Sequence, residues 1–132
     1  ATIGHTAIAY LHHGYPREEM VALYLAADVM LVTALRDGMN LVAKEYVACR
    51  HDNDGVLILS EFAGAADELK NALLVNPHDI DGLKETMLTA ASMPQKERAS
   101  RMRALRKRVR DNDVARGPAS FLAELDAIRD AR

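Results

Sequence analysis

Two carboxylates lie on either side of a predicted helix N-terminus in this chain, one in a glycine-containing turn and one in the helix. This arrangement suits a ligand that carries both phosphate and sugar. The apolar run Val29–Val32 is typical of a buried strand, and Asn40–Cys49 is typical of a helix that follows it. The first turn of a helix leaves backbone N–H groups without partners, and its dipole favours an anion there. Asp37 in the turn and Glu45 in the helix repel phosphate but accept hydrogen bonds from hydroxyl groups. The combination indicates a ligand such as a nucleotide sugar.

A purely structural interpretation of the same residues stays open at this point. Gly38 could simply make a tight turn between strand and helix, and Asp37 could cap the helix N-terminus. Lys44 lies inside the same segment, where a lysine one turn into a helix is expected to face outward or pair with an acid. Spacing alone therefore does not decide between a ligand site and a capped turn.

Short uncharged runs alternate with helical segments along most of the chain. The predicted strands are Thr6–Leu11, Val29–Val32, Val56–Leu59 and Leu73–Val75. Helices are predicted after Pro16 (with Tyr24 on the apolar face), from about Asn40, near Ala65–Asn71 and over Asp79–Ala91. This alternation predicts an α/β fold with a parallel sheet covered on both faces. Residues 1–92 are expected to form this domain, with C-terminal helices over residues 93–132 packing on it.

Composition and charge exclude several classes of function. The chain has 132 residues and a net charge of −2, which gives no electrostatic argument for a nucleic-acid or membrane partner. Apolar runs are short, so neither a membrane span nor a secretory signal is predicted. The single Cys49 is expected to be a packed thiol, which fits a cytoplasmic protein. Five histidines are scattered without ligand spacing, so no metal site is predicted. The basic segment Lys96–Arg110 is interpreted as the solvated face of a packed helix.

Three sequence blocks carry a resemblance to a known family. Leu35–Tyr46 (LRDGMNLVAKEY), Gly55–Ala65 (GVLILSEFAGA) and Leu74–Pro77 (LVNP) resemble the C-terminal half of the trehalose-6-phosphate synthases. These enzymes are retaining glycosyltransferases with the two-domain GT-B fold. The resemblance therefore implies a partial Rossmann-like sheet, which binds the nucleotide sugar, followed by C-terminal helices. It also implies that the chain is an excerpt from a longer protein, whose N-terminal GT-B domain is its partner.

The resemblance assigns roles to residues of the first block. It implies that Asp37 holds hydroxyl groups of the transferred glucose and that Glu45 holds the ribose diol. Donor binding, chiefly of the diphosphate by backbone amides, is implied for Gly38, Met39, Asn40, Leu41 and Val42. Tyr15 stands where the family often has an aromatic residue near the base, and its alternative role is to cover the entrance of the following helix.

The implied reaction transfers glucose from UDP-glucose, or a related donor, to glucose 6-phosphate with retention at the anomeric carbon, giving trehalose 6-phosphate. The resemblance implies no cofactor and no metal, and it allows a homo-oligomer. One alternative is a sister synthase that uses another polyol phosphate, because the N-terminal domain chooses the acceptor. Another is a truncated, non-catalytic module that binds the donor or a partner. Arg116-Gly117-Pro118 departs from the family, which commonly has a tryptophan-containing helix there.

Overall fold

The computed structural model describes residues 17–33, 40–113 and Ala127. Its elements in chain order are α1 (Arg17–Ala26), β1 (Val29–Val32), α2 (Asn40–Cys49), β2 (Val56–Ser60), a 3-10 helix (Gly64–Asp67), β3 (Leu73–Val75), α3 (Ile80–Ala91) and α4 (Gln95–Asp113). The three predicted strands that fall within the described residues are confirmed, and so is a helix that begins at Asn40. The predicted strand Thr6–Leu11 lies outside the described residues.

The described strands form one parallel sheet in the order β1-β2-β3. Val29 pairs with Val56 across β1 and β2, and Ile58 pairs with Leu73 across β2 and β3. The central strand β2 is buried along its whole length. Parallel strands need crossover connections, and the helices in those connections cover the faces of the sheet. The α/β fold predicted from the sequence is confirmed.

Alternate residues of β2 face two different cores, because successive side chains of a strand point to opposite faces. Leu57 and Leu59 belong to the larger cluster, which also contains residues of α1, α2 and α4. Val56 and Ile58 belong to the smaller cluster, to which α3 contributes Ala90. Five buried residues hold α2 in the larger core, namely Ala43, Tyr46, Val47, Ala48 and Cys49. The helix that carries the central sequence block is therefore fixed by apolar packing against the sheet and its neighbouring helices.

The segment after β2 is less helical than the sequence predicted. A helix was expected near Ala65–Asn71, but the structure has a 3-10 helix over Gly64–Asp67. The chain then continues as separate turns, in which the amide of Leu69 donates to the carbonyl of Ala65 at 2.8 Å. Leu69 is buried in the larger core, and β3 begins soon afterwards. β3 begins at Leu73, as predicted, so the difference is confined to the turns between Asp67 and that strand.

The basic segment near the C-terminus is helical, as predicted. Within α4, the apolar residues Met102, Leu105 and Val109 are buried in the larger core at helical spacing. Arg103 and Arg110 are exposed on the same helix. In the described part of the chain, no helix combines the length and the apolar character that crossing a membrane would require.

Candidate functional site

The candidate site lies at the N-terminus of α2, which follows the carboxyl end of β1 along the chain. Open α/β sheets bind their ligands at the carboxyl ends of their strands. Leu41 is exposed, Val42 is half-buried and Glu45 is buried. The structure therefore places these predicted residues on the first turns of one helix. The other predicted site residues lie outside the described residues, namely Tyr15, Asp37, Gly38, Met39 and the side chain of Asn40.

The start of α2 has the electrostatic character of an anion site. The first N–H groups of an α-helix have no carbonyl partner within the helix, and the dipole adds partial positive charge there. The first turn of α2 contains no acidic side chain. A diphosphate at this terminus would therefore meet amide donors without repulsion from the first turn, while the carboxylate of Glu45 stands further along the helix.

Glu45 is held by a hydrogen bond that reaches across to α1. Its side chain is 7% exposed, and the hydroxyl of Tyr24 donates to its Oε2 at 3.1 Å. Burial removes the hydration of a carboxylate, so donors from the protein must replace that hydration. Tyr24 itself is fully buried. The apolar periodicity predicted Tyr24 on a buried face and gave no signal of this polar contact with the candidate site.

Lys44, the cation next to Glu45, is paired with an acid. Its Nζ lies 2.8 Å from Oε2 of Glu68, in the segment that follows the 3-10 helix. The hydrogen bond from Lys44 holds the pKa of the Glu68 carboxyl below its ordinary value. The prediction that Lys44 faces outward or pairs with an acid is confirmed, and the ion pair connects α2 to the chain after β2.

Arg50 anchors the C-terminal end of α2 and was not singled out in the sequence. Its side chain is buried, and its Nη1 donates to three carbonyls at the end of α1, those of Tyr24 (3.3 Å), Leu25 (2.8 Å) and Ala27 (3.1 Å). Its Nε donates to the carbonyl of Asp54 at 3.1 Å. The available signal was a basic residue directly after an apolar helix, a position where arginine often satisfies carbonyl groups.

Tyr46 adds a second hydroxyl to the interface between α1 and α2. Its hydroxyl donates to the carbonyl of Ala27 at 2.7 Å, and its ring meets that of Tyr24 edge to face, with centroids 6.3 Å apart. Burial raises the pKa of Tyr46 to about 12, against an opposing effect of the Arg50 guanidinium, which lies 5.8 Å from the ring centroid. The two tyrosines therefore resemble each other in burial but bind different partners.

A cavity of about 270 Å³ lies at the opposite end of the sheet, at the start of β1. Its lining includes Asp28, Asp54 and Arg98. Nε of Arg98 donates to Oδ1 of Asp54 at 2.6 Å and lowers the pKa of that carboxyl. This ion pair joins α4 to the turn before β2, so we assign it a structural role. No group of three His, Cys, Asp or Glu side chains suited to a metal ion occurs among the residues that the structure describes.

Comparison with known proteins identifies relatives along nearly the whole chain. The model of glycosyltransferase family 20 matches residues 1–127. A trehalose-6-phosphate synthase of Mycobacterium leprae (strain TN) is 56% identical over 129 residues, which is 98% of this chain and 25% of the relative. The enzyme of that name from Mycolicibacterium smegmatis is 57% identical over 125 residues, or 95% of this chain and 25% of the relative. The chain thus spans about a quarter of the length of these curated relatives.

Solved structures show the same similarity in three dimensions. An alpha,alpha-trehalose-phosphate synthase (UDP-forming) from Burkholderia xenovorans, in complex with glucose-6-phosphate, is 48% identical with a TM-score of 0.78, covering 96% of this chain and 28% of that one. A trehalose-6-phosphate structure from E. coli, bound with UDP-2-fluoro glucose, is 43% identical with a TM-score of 0.78, covering 94% of this chain and 28% of that one. With a family match over residues 1–127, this chain belongs to glycosyltransferase family 20.

Proposed function

We propose that this chain is the nucleotide-sugar-binding part of a retaining glycosyltransferase that transfers glucose from UDP-glucose to glucose 6-phosphate. The product of the reaction is trehalose 6-phosphate. The proposal is carried by the buried carboxylate of Glu45 behind the N-terminus of α2, in a chain 56% identical to a trehalose-6-phosphate synthase. The E. coli structure contains UDP-2-fluoro glucose and the Burkholderia xenovorans structure contains glucose-6-phosphate. Together these ligands support the same pair of substrates.

In this proposal, different residues around the start of α2 bind different parts of the donor. The backbone amides from Met39 to Val42 bind the diphosphate, because a helix N-terminus presents unpartnered N–H groups to an anion, and Gly38 contributes to donor binding in the turn before them. Glu45 accepts hydrogen bonds from the two ribose hydroxyls, and Asp37 accepts them from the transferred glucose. Tyr15 borders the base. Each carboxylate thus accepts hydrogen bonds from neutral hydroxyl groups, while the phosphates accept hydrogen bonds from backbone amides.

The chemistry that we propose relies on positioning and on stabilisation of the leaving group. The acceptor hydroxyl attacks the anomeric carbon on the face that the diphosphate leaves, and the departing phosphate oxygen takes the acceptor proton. No covalent nucleophile from the protein is required. Amide donors at the start of α2 stabilise the charge that develops on the diphosphate, and fixed geometry holds the acceptor oxygen near the anomeric carbon. No metal is required by this proposal.

The ribose role is tested by measuring UDP-glucose affinity in the full-length protein that contains these residues. Glu45→Ala should weaken binding by roughly 1–3 kcal/mol in isothermal titration, the range for a buried hydrogen bond to a charged group. Glu85→Ala removes an exposed carboxylate from α3 and serves as the control, with unchanged affinity expected. Unchanged affinity for Glu45→Ala would remove the ribose assignment.

The catalytic assignment is tested by product formation. Asp37→Ala in the full-length protein should lower turnover strongly, because hydroxyl contacts place the anomeric carbon. Glucose 6-phosphate and other polyol phosphates should be compared as acceptors by mass spectrometry of the product. Preference for another polyol phosphate would favour a sister synthase.

Residues 1–132 alone should give no detectable trehalose 6-phosphate. According to the family resemblance, the basic residues that bind the phosphates and the pocket that binds the acceptor lie in other segments of the relatives. Both are needed to stabilise the transition state. The assay is mass spectrometry of a reaction that contains UDP-glucose, glucose 6-phosphate and the purified chain. Product formation at enzymatic rates would contradict the assignment of this chain as the donor-binding part.

A further inference from the structure

Tyr24 and Glu45 meet at the interface between α1 and α2. The two residues are 21 positions apart, and the hydrogen bond from the Tyr24 hydroxyl to Oε2 of Glu45 measures 3.1 Å. Tyr24 is fully buried and Glu45 is 7% exposed, so the bond is shielded from water. A shielded hydrogen bond to a charged acceptor is stronger than one that competes with solvent. The contact is therefore able to fix the orientation of the carboxylate.

The hydroxyl of Tyr24 is a rigid donor. Its ring packs edge to face against the ring of Tyr46, with an interplanar angle of 73°. The backbone carbonyl of Tyr24 accepts a hydrogen bond from Nη1 of Arg50 at 3.3 Å. The side chain of Tyr24 is thus held by Tyr46 in α2, and its main chain is held by Arg50, which follows α2 directly. Glu45, by contrast, is a side chain with several rotatable bonds, which would otherwise lose rotamer freedom on binding a ligand.

We propose that Tyr24 is a positioning residue that orients the carboxylate of Glu45 toward the ribose hydroxyls of the nucleotide. This inference rests on the proposed function, in which Glu45 binds the ribose diol. A carboxylate has about four acceptor positions on its two oxygens, and the phenol of Tyr24 occupies one of them. The donor on Oε2 selects the plane of the carboxylate, and that plane decides whether two adjacent hydroxyls can both donate to it. Tyr24 consequently contributes to discrimination between ribose and deoxyribose without touching the ligand.

The structure offers a matched control for this proposal. Tyr46 is also fully buried and belongs to the same helix interface, but its hydroxyl donates to the carbonyl of Ala27 at 2.7 Å. Tyr24→Phe and Tyr46→Phe each remove one buried hydroxyl and leave the ring in place. Loss of stability is common to both variants, whereas loss of carboxylate orientation is specific to Tyr24→Phe.

The test compares UDP with 2′-deoxy-UDP by isothermal titration in the full-length protein that carries these residues. Wild type should bind UDP more tightly, and Tyr24→Phe should reduce that preference by about 3- to 10-fold, mainly through weaker binding of UDP. Tyr46→Phe should keep the wild-type preference even if its melting temperature falls. In a background with Glu45→Ala, the added Tyr24→Phe change should have no further effect on the preference.

Each result has a distinct meaning for the two proposals. A preference that Tyr24→Phe leaves unchanged, while wild type discriminates between the ligands, overturns the positioning role but not the proposed function. An equal loss in Tyr46→Phe also overturns it, because a general effect of packing would then explain both variants. If wild type binds UDP without preferring it over 2′-deoxy-UDP, the ribose role of Glu45 fails and the inference fails with it. If wild type does not bind UDP at all, the proposed function itself is contradicted.

Discussion

Gly55 lies against the hydroxyl of Tyr46, and a single added methyl group there should destabilise the chain in two ways. Gly55 has a φ of 89°, a conformation that residues with a Cβ atom rarely adopt. A Cβ atom at this position would overlap the Tyr46 hydroxyl and lie 3.2 Å from Cζ of the same ring. Because Tyr46 is fully buried, its ring has little space to move away. Gly55→Ala should therefore strain the backbone and displace the hydroxyl from the carbonyl of Ala27.

The two effects can be given separate magnitudes. A left-handed backbone conformation in a residue other than glycine costs roughly 1–2 kcal/mol. Breaking the 2.7 Å hydrogen bond from Tyr46 to Ala27 leaves the buried Tyr46 hydroxyl without its acceptor, at about 1–3 kcal/mol, while the carbonyl of Ala27 keeps its bond from Arg50. Gly55→Ala should then lower the free energy of unfolding by about 2–5 kcal/mol, and Tyr46→Phe alone by about 1–2 kcal/mol. In the double variant the hydroxyl is already absent, so the combined loss should fall short of the sum by about 1–2 kcal/mol.

Urea unfolding of the 132-residue chain, followed by circular dichroism, measures this coupling across wild type, both single variants and the double variant. Gly82→Ala is the matched control, because Gly82 lies in α3 and an added Cβ atom there would meet the N-cap carboxylate of Asp79 and not Tyr46. Gly82→Ala and Tyr46→Phe should be additive. If Gly55→Ala and Tyr46→Phe were additive to within about 0.5 kcal/mol, the steric argument would be refuted.

Burial raises the pKa of Tyr46 to about 12, so the folded state holds the phenol proton more tightly than the unfolded state. Urea titrations should show stability falling between about pH 10 and pH 12, and Tyr46→Phe should remove this fall. Arg50→Met should lower the free energy of unfolding by about 2–4 kcal/mol in the same titrations, because buried carbonyls lose their donor. The pKa of Asp54 is lowered by Arg98, so stability is lost as the pH falls below about 4. Arg98→Met should raise that pKa in an NMR titration and reduce the acid-dependent loss.

The strands and the first turn of α2 were predictable because their determinants are local. Val29–Val32 and Val56–Leu59 are uncharged runs rich in branched residues, and the second of them is buried on both faces. The helix expected from Asp79 begins with that residue as its N-cap, and the side chain accepts a hydrogen bond from the amide of Gly82 at 3.0 Å. The start of α2 at Asn40 agrees with the prediction from the glycine-containing turn before it in sequence.

The contacts that hold the candidate site were not predictable, because they join residues far apart in sequence. Arg50 binds carbonyls of α1 that are 23 to 26 positions away, and a carbonyl group gives no signal in the residue type that carries it. Tyr24 was placed correctly on a buried face, but apolar periodicity says nothing about where its hydroxyl points. The ribose role of Glu45 stays a prediction, made from its spacing and from family resemblance. The hydrogen bond from Tyr24 to Glu45 emerged only from the packing of α1 on α2.

Tyr24 also connects Glu45 and Arg50 across the interface between α1 and α2. Its hydroxyl donates to the carboxylate of Glu45, and its carbonyl accepts from the guanidinium of Arg50. A movement of α1 relative to α2 would alter both hydrogen bonds together, so we expect the position of the Glu45 carboxylate to depend on the anchor at Arg50. Arg50 lies outside the block Leu35–Tyr46, yet a substitution of Arg50 should change the affinity for the nucleotide. Arg50→Lys keeps the charge but lacks the planar fork that serves several carbonyls at once. In the full-length protein it should weaken UDP binding in isothermal titration while the protein remains folded by circular dichroism. Unchanged affinity in a folded Arg50→Lys variant would show that the orientation of Glu45 is independent of this anchor.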